Sequence, residues 1–493
     1  MGGNSPAQNI RGFREGNVME SDELVKGLKK LQSRRRFLSG LAAGAAAVAW
    51  GGGLQAADIA GRGAAKRVLV IGAGVAGLAA AKDLKSHGFE VIVIEGRDRI
   101  GGRVHTVDLG GQPVDLGAQW IEGARRNPIA EMCNRNGITL ARTNYNSDAV
   151  YDLEGHEFES ATEDQLYARA LKMIRDTRTV NRQRIMQGLG DITLAQALEP
   201  GVAALESPRV RRFVRWAMAW EIESDEGDDL KYLSLRNYWK EQESDDSLAG
   251  ATFSFPGGYG QIPQILAKGL DIRFNQIVTA IDYNTAGVTA RTEERTFAGD
   301  YAIVTLPLGV LKGGAVAFNP ALPGMKLRAV RRLNFGSVDK VIMRFSRVFW
   351  PDREFLGYTS DTPGQFVEWT NLASSTSAPI LSIWSHGDFS RGFQKLGDEL
   401  RVAQAMEVVR KIFGARAEEP VAFRVTHWTD EALTRGCYCA MGEDSSPADF
   451  AAMAEPVAGR LFFAGEATIY DNHASVHGAY LSGIREAARI AAL

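Results

Sequence analysis

"KRVLVIGAGVAGLAAAKDLKSHGFEVIVIEGRDRIGGR", residues 66–103, decides how this chain folds. The apolar run at 68–71 reads as a strand buried on both faces of a parallel sheet. It runs directly into Gly72, Gly74 and Gly77, then an Ala/Leu-rich helix, then a second apolar strand at 91–94 that ends in Glu95. Each part has a physical task. Gly72 permits a tight turn, Gly74 lets the backbone approach a pyrophosphate, and Gly77 lets helix and strand pack closely. The helix start offers free N–H groups and the positive end of a dipole. Glu95 comes 18 residues after Gly77, where a carboxylate can accept from both hydroxyls of a ribose. The expected class is α/β, with a Rossmann-like dinucleotide-binding domain. FAD and NAD share this fingerprint, so it leaves the choice between them open.

Composition narrows the remainder. With 493 residues, 45% of them hydrophobic, the chain can fill two or three cores. A formal charge of −2 gives no nucleic-acid footprint. Three cysteines are no disulfide framework. Two of them flank Tyr438 in "RGCYCAMGED" (435–444), and in an extended strand they would lie roughly 6.6 Å apart on one face with parallel Cβ vectors, which does not suit a bridge. Spacing shows no metal-ligand set and no nucleophile–His–acid arrangement, and neither His473 nor His477 reads as catalytic. At the N-terminus, Arg34, Arg35 and Arg36 precede an apolar stretch at 37–50 that is shorter than the about 20 residues a bilayer requires. Residues 1–57 therefore read as a cleavable leader resembling the twin-arginine export signal of bacteria. The competing reading is a basic patch before an apolar helix that stays attached. Export of a folded, cofactor-loaded protein to the periplasm or beyond is the expectation.

The stretch behind the ribose acid adds Gly96, Arg97, Gly101, Gly102 and Arg103 in "GRDRIGGR". Here the chain resembles the flavin-containing amine oxidase family, of the polyamine and monoamine oxidase type. Further segments carry the likeness: "VDLGAQWIEG" (114–123), "FSFPGGYGQIPQILAKGLDIRFNQIVTAIDY" (253–283), "TLPLGVL" (305–311) and "RLFFAGEATIYDNHASVHGAYLSGIREAARI" (460–490). The resemblance implies FAD, held by Gly72, Gly74, Ala76, Gly77, Glu95, Gly96, Arg97, Gly101, Gly102 and Arg103. It extends that set to Gly117, Ala118, Gln119, Trp120, Val278, Cys437, Gly465, Glu466, Ser475 and Val476. It implies an FAD-binding domain assembled from 66–124, 251–319 and 426–493. An α+β substrate domain would come from 125–250, mostly helical, and 320–425.

The same resemblance assigns roles. Lys340, at the start of an apolar strand, falls on the family lysine that holds a water beside the flavin; the bland alternative is a strand-end lysine snorkelling to solvent. Tyr438 is expected as one aromatic wall of the substrate site, where the opposite wall is often tyrosine but here is Ser475, leaving room for a bulkier amine. Glu122 and Glu223, with Glu221 as an alternative to the latter, would line an acidic tunnel, although "ESDEGDD" reads equally well as a solvated loop. Gly436-Cys437-Tyr438 matches a monoamine-oxidase triplet whose cysteine is joined to the flavin; the alternative is that Cys437 simply packs. The expected activity is FAD-dependent oxidation of a polyamine or secondary amine: hydride transfer, imine hydrolysis, and reoxidation by dioxygen to hydrogen peroxide. Two rivals stand beside it. One is an L-amino-acid or alkaloid-type amine oxidase or dehydrogenase, for which Arg125 and Arg126 could bind a carboxylate and a protein could accept the electrons. The other is a non-catalytic flavoprotein scaffold. No stable membrane span is expected.

Overall fold

A computed structural model of the chain describes residues 65–242 and 250–493, so the leader and its arginine cluster lie outside the described residues. Five parallel strands form the first sheet: β1 (Arg67–Ile71), β2 (Glu90–Ile94), β3 (Asp271–Arg273), β4 (Tyr301–Val304) and β5 (Leu461–Phe463), in spatial order β5-β4-β1-β2-β3. Side chains on a strand alternate between faces, and the two faces feed different cores. Val68, Val70, Val91, Val93, Ile303 and Phe462 meet helices, whereas Leu69, Ile71, Ile94, Val304 and Phe463 meet a four-stranded sheet that begins at Val278. Burial on both sides explains why these strands read as unbroken apolar runs.

Helix α1 (Val75–Ser86) crosses from β1 to β2, and helix α2 (Val476–Ala491) lies against it. The two backbones approach so closely that a Cβ on Gly483 would stand 2.2 Å from the Ala76 carbonyl oxygen. A Cβ on Gly77 would stand 2.0 Å from the Gly72 carbonyl oxygen, the helix–strand contact expected of that glycine.

A second body surrounds a six-stranded sheet ordered Ala422–Val425, Val338–Arg344, Ile380–His386, Glu368–Asn371, Phe355–Tyr358, Asp148–Tyr151. One face packs on helix Asp398–Phe413 and the other on helices between 160 and 242. The expected boundary at 124/125 is too early: helix Pro128–Arg135 buries Ile129, Met132 and Cys133 in the first core. No helix among the described residues is long and apolar enough to cross a membrane.

Candidate active site

A cavity of about 320 Å³ runs between the two bodies. One end is built on the turn after β1. Gly72 has φ +108°, Gly101 +95° and Gly102 +58°, backbone conformations that side chains rarely adopt. A Cβ on Gly74 would meet no atom within 4 Å, so this glycine keeps open a cradle at the uncapped start of α1. The first N–H groups of a helix have no partner within it, and Val75 and Ala76 face the cavity. Glu95, at the end of β2, is buried and fixed by the N–H groups of Ala73 (2.7 Å) and Arg97 (2.9 Å). A carboxylate offers about four acceptor sites, which leaves capacity toward the cavity it lines. Thr305 closes the turn, donating from its hydroxyl to the Ile71 carbonyl at 2.8 Å.

The residues therefore fit a dinucleotide. Gly96, Arg97, Arg103, Gly117, Ala118, Gln119, Trp120 and Val278 line the same cavity, as do Cys437, Gly465, Glu466, Ser475 and Val476. Gly77 does not; its work is the helix–strand contact. The two arginines are already engaged. Arg97 Nε donates to Glu431 at 2.6 Å, and Arg103 Nη1 donates to Glu466 at 3.0 Å and to the Cys437 carbonyl at 2.5 Å. Arg103 beside Glu466 holds that buried carboxyl below its ordinary range.

At the other end stand Lys340, Trp384, Tyr438 and Trp120. Lys340 is 2% exposed, so it does not snorkel. Its Nζ donates to the carbonyls of Asp115 (2.9 Å) and Gly117 (2.7 Å) and to Gln119 Oε1 (3.1 Å), and stands 4.0 Å over the Trp384 ring. Burial drives the ammonium pKa down, while three acceptors for three hydrogens favour the charged form. The water-holding role expected for this lysine finds no spare Nζ hydrogen. Trp384 also stacks on Trp120, centroids 5.5 Å apart. The Tyr438 hydroxyl donates to the Ser224 carbonyl at 2.7 Å.

Several expectations are corrected. Glu223 does not reach the cavity: it is buried, accepts from Leu230 N at 3.0 Å, and burial, reinforced by the Asp229 charge, pushes its carboxyl up to about 8. Glu221 is taken by the Tyr167 hydroxyl. Ser224 and Asp225 line the cavity instead, because Ala219–Glu223 forms a π-helical turn that rotates the following residues away from the α-helical register. Glu122 does line the cavity, whereas Arg125 and Arg126 are exposed and stand outside its lining. Ser475 is the N-cap of α2, accepting from Gly478 N at 3.0 Å, so its hydroxyl serves the helix and only its small size serves the cavity.

The Cys437–Tyr438 pair does not alternate across an extended strand. Arg435 (φ +58°) and Gly436 (φ +141°) bend the chain, and both the Cys437 sulfur and the Tyr438 ring abut Gly227, at 3.0 and 2.6 Å from where its Cβ would be. All three cysteines are free thiols, as the spacing predicts for Cys437 and Cys439. Burial pushes the Cys437 thiol well up. Trp384 and Trp428 also line the cavity, and nothing in the sequence but their type, large and aromatic with a polar N–H, marks them.

Comparison with known proteins gives a consistent result. The sequence profile described as flavin containing amine oxidoreductase matches residues 75–491. Polyamine oxidase 4 of Oryza sativa subsp. japonica is 35% identical over 439 residues, 85% of this chain and 87% of the relative. Polyamine oxidase 2 of Arabidopsis thaliana is 34% identical over 432 residues, 85% of this chain and 87% of the relative. The solved structure of wild-type putrescine oxidase bound to putrescine superimposes with a TM-score of 0.70 at 20% identity, covering 87% of this chain and 99% of that one. At that identity the superposition speaks for the fold alone.

Proposed function

The chain belongs to the flavin-containing amine oxidoreductase family and is an FAD-dependent oxidoreductase acting on amines, and from that premise we propose that its substrate is a polyamine or related secondary amine. The observation that carries this reading is the continuity of one cavity. It joins the glycine cradle and Glu95 to an aromatic end bearing Tyr438, Trp384 and Lys340, with the carboxylates of Glu122 and Asp225 on its lining. FAD, when bound, supplies the hydride acceptor for the amine carbon and passes the electrons to dioxygen as hydrogen peroxide.

The protein's own residues prepare the amine. Tyr438, Trp384 and Trp120 exclude water, and a desolvated amine favours its neutral form, the one that can give up a hydride from its α-carbon. Glu122 and Asp225 attract the remaining ammonium groups of a polycation. Ser475, a small residue on the cavity lining, leaves room that suits substitution at the reacting nitrogen. The imine product is released to water and hydrolyses to an aldehyde or ketone. Lys340 assists reoxidation through its positive charge and by fixing the 115–119 segment. A carboxylate-bearing substrate is less well served, since Arg97 and Arg103 are tied to acids and Arg125 and Arg126 stand outside.

Burial of the Cys437 thiol, which raises its pKa, favours a flavin held without a covalent bond, because attachment requires a thiolate. Acid denaturation should release free flavin; fluorescence on the protein band, lost in Cys437→Ala, would show a link. Export by the twin-arginine route is proposed from Arg34 and Arg35. Changing both to lysine should retain the folded enzyme in the cytoplasm, and unaltered export would end that proposal. For the substrate itself, peroxide formation should be measured with polyamines, monoamines, amino acids and cyclic amines. The highest kcat/KM is expected for a polyamine; a higher value for an L-amino acid would overturn the reading.

A further inference from the structure

Away from the cavity lining, three side chains of metal-ligand type converge whose distances in sequence give no hint of it. Glu226 ends the short helix Ser224–Glu226, Glu241 lies on helix Leu235–Gln242, and His473 precedes α2. One ligand atom from each lies within 4.8 Å of the other two. His473 is 1% exposed. Its Nδ1 lies 2.8 Å from the Tyr470 carbonyl oxygen, which can only accept, so Nδ1 carries a proton. The other ring nitrogen, Nε2, faces Glu241 Oε1 at 3.7 Å, beyond hydrogen-bond reach. Phe450, 5.1 Å away, and Tyr470, stacked at 8°, hold the ring in this orientation.

We propose that Glu226, Glu241 and His473 bind one divalent transition-metal ion. An Nδ1–H donated to a backbone carbonyl, with Nε2 presented, is how metal-ligating histidines are oriented. Two ligand atoms about 2.1 Å from a zinc-sized ion stand about 3.4 Å apart at the tetrahedral angle, close to the 3.7 Å between His473 and Glu241. One imidazole with carboxylates suits zinc, cobalt, nickel or manganese. The Tyr470 hydroxyl oxygen, on the ring stacked against His473, is also buried and has no hydrogen-bond partner among the described residues. The ion would tie together two walls of the substrate end. Ser224 and Asp225 come just before Glu226, Ala474 and Ser475 come just after His473, and all four line the cavity.

The test uses the flavin-loaded full chain, stripped with EDTA and titrated calorimetrically with Zn²⁺, beside His473→Gln and Glu241→Gln. One site is expected in the wild type, weakened about tenfold or more in each variant, with a zinc-dependent rise in Tm that the variants lack. Wild-type crystals soaked in Zn²⁺ should show anomalous density between His473 Nε2 and Glu241, a measurement that does not depend on the variants folding. Absence of zinc binding by the wild type would mean that the site holds only a proton. That result, equal affinity in the variants, or anomalous density elsewhere only, would overturn the proposal.

Discussion

Lys340 is the buried charge on which two functions meet. Its Nζ cross-links the 115–119 segment to strand Val338–Arg344, and it carries a positive charge into the aromatic end of the cavity. Lys340→Met removes both. Leaving buried carbonyls without a donor costs about 1–3 kcal/mol each, so Tm should fall. Flavin reoxidation by dioxygen should slow by about tenfold or more while reduction by the amine changes little; stopped-flow traces with unaltered reoxidation would remove Lys340 from that role. Glu223 offers a pH test. Its carboxyl is pushed up to about 8 in the fold, against about 4.5 for an ordinary glutamate. A raised pKa means that the neutral form suits the native state. The contribution is intact below about pH 4.5 and is lost as pH rises toward 8, on the order of 1 kcal/mol per pH unit. Glu223→Gln keeps the acceptor for Leu230 N and removes the titration. Thermal melts should show little difference from wild type near pH 4.5 and a variant more stable by several degrees at pH 8; equal Tm values at pH 8 would contradict the burial of this acid.

Among the elements, legibility depended on whether a residue's role was local. The turn after β1 could be read because Gly72, Gly74 and Gly77 each answer a constraint set within a few residues; the positive φ of Gly72 and the helix–strand contact of Gly77 are seen in the structure. Lys340 was legible because a lysine within an apolar strand calls for partners. The π-helical turn at Ala219–Glu223 could not be read, since its sequence differs in no evident way from α-helix, and it moved the cavity carboxylate from Glu223 to Asp225. The bend at Arg435 and Gly436 likewise turned an expected strand into a corner that brings Cys437 and Tyr438 to the same neighbour. Asp225 is the element-scale prediction. Asp225→Asn should raise KM for a polyamine roughly fivefold, equivalent to about 1 kcal/mol for one partly screened charge, with KM for a short monoamine unchanged. An equal rise for both would place Asp225 in folding rather than recognition.

The described residues form two bodies sharing one cavity, and each body is assembled from separated parts of the chain. Strands from 67–94, 271–304 and 461–463 build the parallel sheet, while Asp148–Tyr151 joins strands from 338–425 in the other body. The cofactor end and the aromatic end therefore cannot be separated by cutting the chain, and their function is a property of the junction. The direct measurement of that claim is a single turnover by the purified yellow protein. Without air, one equivalent of a polyamine should bleach the flavin absorbance completely, and readmitting air should restore it with one equivalent of hydrogen peroxide. A flavin that stays yellow in the presence of every amine offered would contradict the account.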